Sequence, residues 1–267
     1  MTALQEFYGF KTQPFNITTD AELFYESRSH QEALASLMYG IEERKGLILI
    51  TGEVGTGKTT LCNALLERLP QTVRTSLILN PYFSDIQLLQ AIVEDFGLEP
   101  EKKTRLDIVN KLNAFLIDLS LNQGNAVLII DEAQNLKPRQ LEQIRLLSNL
   151  ETKHGKLLQI VLVGQPELKA SLQRYDLRQI YQRIVIKYEL KPLEFPDVKS
   201  YVDFRLEHSG ALGVSIPAEG YRMIHEFSKG IPRLVNLLCD RALLLGFVRK
   251  EKVLSPEIFI AAMEEIR

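Results

Sequence analysis

Eight consecutive residues, Gly52-Glu53-Val54-Gly55-Thr56-Gly57-Lys58-Thr59, combine three glycines with a lysine and a threonine. A glycine inside a regular element costs about 0.5–1 kcal/mol relative to alanine, so three in so short a stretch need a purpose. The spacing G-x-x-x-x-G-K-[ST] supplies one. Glycines let backbone N–H groups turn inward around phosphate oxygens, and a helix that follows adds the partial positive charge of its N-terminus. In that setting Lys58 reaches the β- and γ-phosphates of a nucleoside triphosphate and Thr59 offers its hydroxyl to Mg²⁺. The expected nucleotide contacts are therefore Gly52, Glu53, Val54, Gly55, Thr56, Gly57, Lys58, Thr59 and Thr60.

Triphosphate hydrolysis needs a second, acidic centre. Asp131-Glu132 follows the apolar run AVLII, where a parallel strand next to the loop strand would end. Asp131 is placed to join the Mg²⁺ shell, and Glu132 to polarise the attacking water.

The rest of the chain must hold these groups in place. LILIT (47–51) reads as a buried strand, and Lys58–Leu69 as a helix ended by Pro70. Further strands are expected at 75–80, 126–131, 157–164 and 184–190, and helices at 29–44, about 84–96, 104–121 and 138–150. Continuous apolar runs alternating with helices indicate a parallel sheet covered on both faces. From Pro196 the pattern is helical throughout, with breaks at GVSIP and SKGIPR. The expectation is an α/β core with a five-stranded parallel sheet over residues 1–193, including an aromatic N-terminal segment, and a helical lid over 194–267.

Composition narrows the function classes. With 32 Lys and Arg against 34 Asp and Glu, the formal charge is −2 and gives no global basic field for nucleic acid or anionic lipid. The N-terminus MTALQEFYGF lacks the basic and apolar regions of a signal peptide. Apolar runs fall far short of the roughly 20 residues a bilayer span needs. Cys62 and Cys239 lie in apolar helical patterns and read as buried free thiols. These features favour a cytoplasmic protein. His30, His154, His208 and His225 show no metal-ligand spacing and read as surface or helix-packing residues. The short basic clusters Lys102-Lys103 and Arg249–Lys252 read as solvated faces.

GEVGTGKTT, VLIIDEAQNL, IVLVGQPEL, LRQIYQRI and GIPRLVNLLCDRALL, in this order, resemble an AAA+ ATPase. The N-terminal F-Y-G-F-x-x-x-P-F-N-I-T-x-D and LEQIRLLSNLET are similar to the general secretion pathway protein A (ExeA-like) branch, and the resemblance covers about residues 5–265. It implies ATP and Mg²⁺ as ligands and self-association, a ring being one form, with nucleotide at subunit boundaries. It also implies a role with secretion or envelope-assembly proteins such as a secretin or pilus. Full-length members often continue into a membrane helix and a peptidoglycan-binding region. The chain is expected to be the cytoplasmic part of such a protein or a short relative, meeting the membrane only through a partner or a further segment.

The same resemblance assigns further residues. Gln165 follows the fourth strand where AAA+ proteins keep a polar sensor beside the γ-phosphate; a cap of the Gln-Pro-Glu turn is the alternative. Asn80 ends the second strand, where its amide could hold Glu132 away from water; an Asn turn before Pro81 is the alternative. Pro232-Arg233 opens a lid helix at the place of a second sensor, and a guanidinium fork suits phosphate oxygens. Arg178 and Arg183 precede the fifth strand, where a relative faces its neighbour's nucleotide; of the two, Arg183 is favoured as the finger. Pro14 and Phe15 either pack beside the adenine or cover the core. The main function expected is an ATPase that drives protein assembly. A DNA-dependent regulator of the transposition target-selection type is the alternative, disfavoured by the near-neutral charge. A nucleotide-gated scaffold without turnover is a third, opposed by the intact Lys58, Asp131 and Glu132.

Overall fold

A computed structural model describes residues 2–16, 24–102, 104–153 and 155–266. Lys103 and His154, and the Ile17–Asp20 part of the N-terminal pattern, lie outside the described residues. The chain divides into two compact units. One comprises 31–52 and 61–190, the other 1–30, 53–60 and 191–267. The boundary near 190 lies close to the expected core–lid division, but the N-terminal segment and the glycine loop group with the C-terminal helices.

The larger unit is built on a sheet. Its elements are most of α2 (Arg28–Glu42), β1 (Leu47–Gly52), most of α3 (Lys58–Arg68), β2 (Val73–Ile78), α4 (Asp85–Asp95), α5 (Arg105–Leu121), β3 (Asn125–Ile130) and α6 (Pro138–Leu147). A short antiparallel pair, β4 (Glu151–Thr152) and β5 (Gly155–Lys156), precedes β6 (Leu158–Gly164), α7 (Pro166–Leu172), α8 (Arg178–Arg183) and β7 (Ile184–Leu190). Five strands pair in parallel in the order β2-β3-β6-β1-β7. β3, which leads into Asp131, was expected next to the loop strand, but β6 lies between the two. Burial explains the placement. β1 and β6 are buried at every position, as strands flanked on both edges and covered on both faces must be, whereas β2 and β7 alternate in burial as edge strands. All three central runs are apolar, and hydrophobicity alone cannot rank them across the sheet.

Local chemistry fixes the helix ends. Ser84 and Gln87 form a reciprocal capping box at α4, and the Thr104 hydroxyl caps α5. Proline opens α6 and α7, where no intrahelical N–H partner is lost. One register level runs through Ile130, Leu162 and Leu49, so the residues that follow them begin the carboxyl edge of the sheet. In parallel α/β sheets this edge receives ligands.

The smaller unit is a helical cluster, with α1 (Ala3–Tyr8), α9 (Phe195–His208), α10 (Ala218–Ser228), α11 (Pro232–Arg249) and α12 (Pro256–Ile266). Tyr8, Phe10 and Phe15 are buried among Val202, Leu238, Leu243 and Phe259. The Tyr8 hydroxyl donates to the Leu243 carbonyl at 2.9 Å, and burial pushes its pKa up to about 12. Arg205 donates to the carbonyls of Pro14 at 2.6 Å and Asn16 at 2.8 Å. The N-terminal segment thus covers the helical core. Among the described residues no helix is long and apolar enough to cross a membrane.

Candidate active site

The glycine loop leaves β1 at Gly52 and enters α3 at Lys58. Its organising atom is the carbonyl oxygen of Glu53, which accepts from Thr56 N at 3.3 Å, Thr56 Oγ1 at 2.8 Å and Lys58 Nζ at 2.9 Å. The lysine is only 6% exposed, so its ammonium is drawn into the loop rather than out to solvent.

Two glycines are required by geometry. Gly55 has φ +82°, and a Cβ there would stand 2.6 Å from Cβ of Arg233. Gly57 has φ +93°, and a Cβ would stand 3.0 Å from Nε2 of His30. Both neighbours belong to the helical unit. Arg233 N donates to the Gly55 carbonyl at 3.2 Å, just after Pro232 opens α11, and its side chain is exposed.

His30 is 4% exposed; its Nε2 lies 3.1 Å from the Thr56 carbonyl and its Nδ1 2.7 Å from Ser27 Oγ. A carbonyl only accepts, so Nε2 carries the proton and Nδ1 accepts from the serine hydroxyl. Burial holds the pKa of His30 below its ordinary value, partly opposed by the Thr56 bond and by Asp197 and Glu26. The imidazole is a neutral brace of the loop. Sequence placed it as a packing residue; the missed signal is Ser27 three residues before His30, at the start of a helix.

The acidic centre belongs to the sheet-bearing unit. Asp131 is 2% exposed; its N–H donates to the Ile78 carbonyl at 2.8 Å and its Oδ1 accepts from Glu132 N at 2.8 Å. Glu132 has φ +50° and ψ +35°, a left-handed conformation that costs a non-glycine residue roughly 1–3 kcal/mol. Its carboxylate Oε2 accepts from Gln134 Nε2 and, at 3.4 Å, from Gln165 Nε2. Oε1 of Gln134 in turn accepts from Gln165 N at 3.1 Å. Gly164 must be small here, since a Cβ would stand 2.7 Å from Gln134 Oε1. Two glutamine amides thus clamp a carboxylate that the backbone already aims.

Gln165 is the N-cap residue of α7 but makes no side-chain cap, so its amide is spent on Glu132. Asn80 lies past the end of β2 at Ile78 and is exposed. Among the described residues the amides that reach Glu132 are those of Gln134 and Gln165, not Asn80. Gln134 was not singled out from the sequence, although it stands in the same DEAQ run. Arg178 lies 4.5 Å from the centre of the Tyr175 ring, and Arg183 donates to Oδ1 of Asn149. Both arginines are exposed, on α8 immediately before β7.

A family model for an AAA domain matches residues 41–172. The general secretion pathway protein A of Aeromonas hydrophila is 44% identical over 261 residues, covering 97% of this chain and 48% of that protein. The chain thus spans about half the length of this relative. The Aeropyrum pernix ORC2 protein, solved as ADPNP-ADP complexes, superposes with TM-score 0.69 at 17% identity, over 96% of this chain and 72% of that one. The Thermotoga maritima RuvB Holliday junction branch migration motor gives TM-score 0.59 at 20% identity, over 90% and 69%. At these identities the two structures establish a shared fold.

Proposed function

The chain belongs to the general secretion pathway protein A (ExeA-like) family of AAA+ ATPases, and from that membership we propose that it hydrolyses Mg²⁺-ATP at subunit boundaries to drive assembly of envelope secretion machinery. The observation that carries the hydrolytic part is the acidic centre. Glu132 is held in a left-handed conformation with its carboxylate fixed by two amides, while buried Asp131 precedes it.

In this reading the loop residues Gly52–Thr60 bind the phosphates, with Lys58 exchanging the Glu53 carbonyl for β- and γ-phosphate oxygens. The Thr59 hydroxyl and Asp131 carboxylate are hard oxygen donors of the kind Mg²⁺ takes alongside phosphate and water. Held by these two side chains, Mg²⁺ would neutralise charge on the phosphates. Glu132 accepts a proton from the attacking water as an O–P bond forms to the γ-phosphorus and the bond to the bridging oxygen breaks, releasing ADP and phosphate. Gln165 and Gln134 orient that carboxylate. Arg233 serves the phosphates from the lid side. Arg183, with Arg178 as the second candidate, serves the nucleotide of a neighbouring copy. The secretion role rests on the relative from Aeromonas hydrophila, whose name states the pathway.

Calorimetry of Lys58→Ala tests the binding half. The variant should lose measurable ATP affinity, because it lacks the one charged side chain drawn into the loop. Affinity within a few-fold of wild type would refute the phosphate-loop reading.

A further inference from the structure

Arg183 closes α8, and the residues that anchor it, Ile180 and Ile184, are buried in the core of the sheet-bearing unit. The backbone beneath the arginine is therefore fixed, while its side chain is exposed and has many rotamers to lose. Among the described residues the guanidinium makes one hydrogen bond, from Nη1 to Oδ1 of Asn149, just past the end of α6. Two carboxylates lie within reach of its charge, and each is engaged by a base of its own. Glu142 accepts from Arg145 Nε at 2.8 Å and Nη2 at 2.6 Å. Glu151 on β4 is paired with Lys156 on β5. Arg145 holds the carboxyl of Glu142 below its ordinary pKa and Lys156 does so for Glu151, with a smaller contribution from Arg183 to each.

The partner that touches the guanidinium is thus a neutral oxygen in acidic surroundings. The difference is chemical. A carboxylate would take two N–H groups of the planar fork side by side and cancel its charge. An amide oxygen occupies a single N–H, fixes the direction of the fork and leaves its positive charge and remaining donors available. We infer that Asn149 is the positioning residue of Arg183, aiming the guanidinium at the nucleotide of a neighbouring copy without neutralising it. The inference rests on the reading of Arg183 as serving that neighbour and adds the residue that makes it competent. A contact that merely fastened α8 to the end of α6 would work as well with a carboxylate at position 149, and the two roles therefore predict opposite behaviour of Asn149→Asp.

Turnover of the whole chain tests this. Asn149→Ala should lower kcat about tenfold, the size of one hydrogen bond to a charged group, with KM for ATP unchanged because its own phosphate loop is intact. Asn149→Asp, nearly identical in shape, should lower kcat at least as far. Asn149→Ala mixed with Lys58→Ala should regain turnover, since the second chain supplies an oriented arginine, whereas mixing with Arg183→Ala should regain none. Adding Asn149→Ala to Arg183→Ala should cost nothing further. Wild-type turnover in Asn149→Ala beside an impaired Arg183→Ala would overturn the inference and leave the role of Arg183 standing. Wild-type turnover in Asn149→Asp, or no rescue of Asn149→Ala by Lys58→Ala, would also overturn it. Wild-type turnover in Arg183→Ala itself would remove both the arginine's role and this one.

Discussion

Nε2 of Gln165 sits 3.4 Å from Oε2 of Glu132, while the backbone N–H of Gln165 donates at 3.1 Å to the amide of Gln134, which holds the same oxygen. The end of β6 and the turn after β3 are thus tied through one carboxylate. A sensor that reads the γ-phosphate at Gln165 would be coupled directly to the proposed base.

This arrangement predicts the kinetics of Gln134→Leu. The carboxylate loses its orienting donor, and turnover should fall by about tenfold or more with ATP KM nearly unchanged, a modest fraction of the effect expected for losing a general base. Steady-state kinetics on wild type and variant decide it. A rise in basal turnover would mean that Gln134 restrains Glu132 instead of orienting it.

His30 should influence the loop and the pH dependence of stability. His30→Ala leaves the Thr56 carbonyl and Ser27 hydroxyl without their partner, a loss of about 1–3 kcal/mol for buried groups. It should raise KM for ATP more than it lowers kcat. The folded protein keeps the imidazole neutral with a depressed pKa, so its contribution is fully present above about pH 6.5, the ordinary value. As pH falls below that value the unfolded chain takes up the proton first, and stability declines until the folded pKa is passed. Thermal melts from pH 8 to 5 should show this slope in wild type and lose it in His30→Gln. Parallel slopes would deny His30 that role.

Arg183 carries the assembly claim. A finger supplied in trans is worth about 10³–10⁵ in turnover in GTPase systems, and the lower end or less is expected here. Activity per chain should rise with protein concentration, and Arg183→Ala should bind ATP but hydrolyse poorly. Mixing Arg183→Ala with Lys58→Ala should restore part of the turnover, since each supplies what the other lacks. Flat specific activity over a hundredfold dilution, without rescue, would place the complete site in one chain.

The sheet was legible because its central strands are buried on both faces, which leaves runs such as LILIT and IVLVG with no alternative reading as turns. Their lateral order was not. Which strand lies beside β1 depends on where the β3–β6 crossover returns, and β1, β3 and β6 carry equally apolar sequences. The β4–β5 pair escaped notice because its two-residue strands are polar or glycine, with no face to bury. At the site, the spacing of Gly52, Gly57, Lys58 and Thr59 conveys its chemistry directly, since each residue type has one job. His30 and Gln134 act by bracing other groups, a role any buried polar side chain of suitable reach can fill, and so neither type nor spacing announces it.

The account rests most directly on Glu132, and ATP hydrolysis by Glu132→Gln is the measurement that tests it. The substitution keeps the shape of the side chain and removes its basicity. ATP binding should stay within a few-fold of wild type, while turnover falls by roughly 10²–10⁴-fold, the usual scale for a lost general base. Hydrolysis at the wild-type rate with unchanged binding would contradict the assignment and require the attacking water to be activated elsewhere.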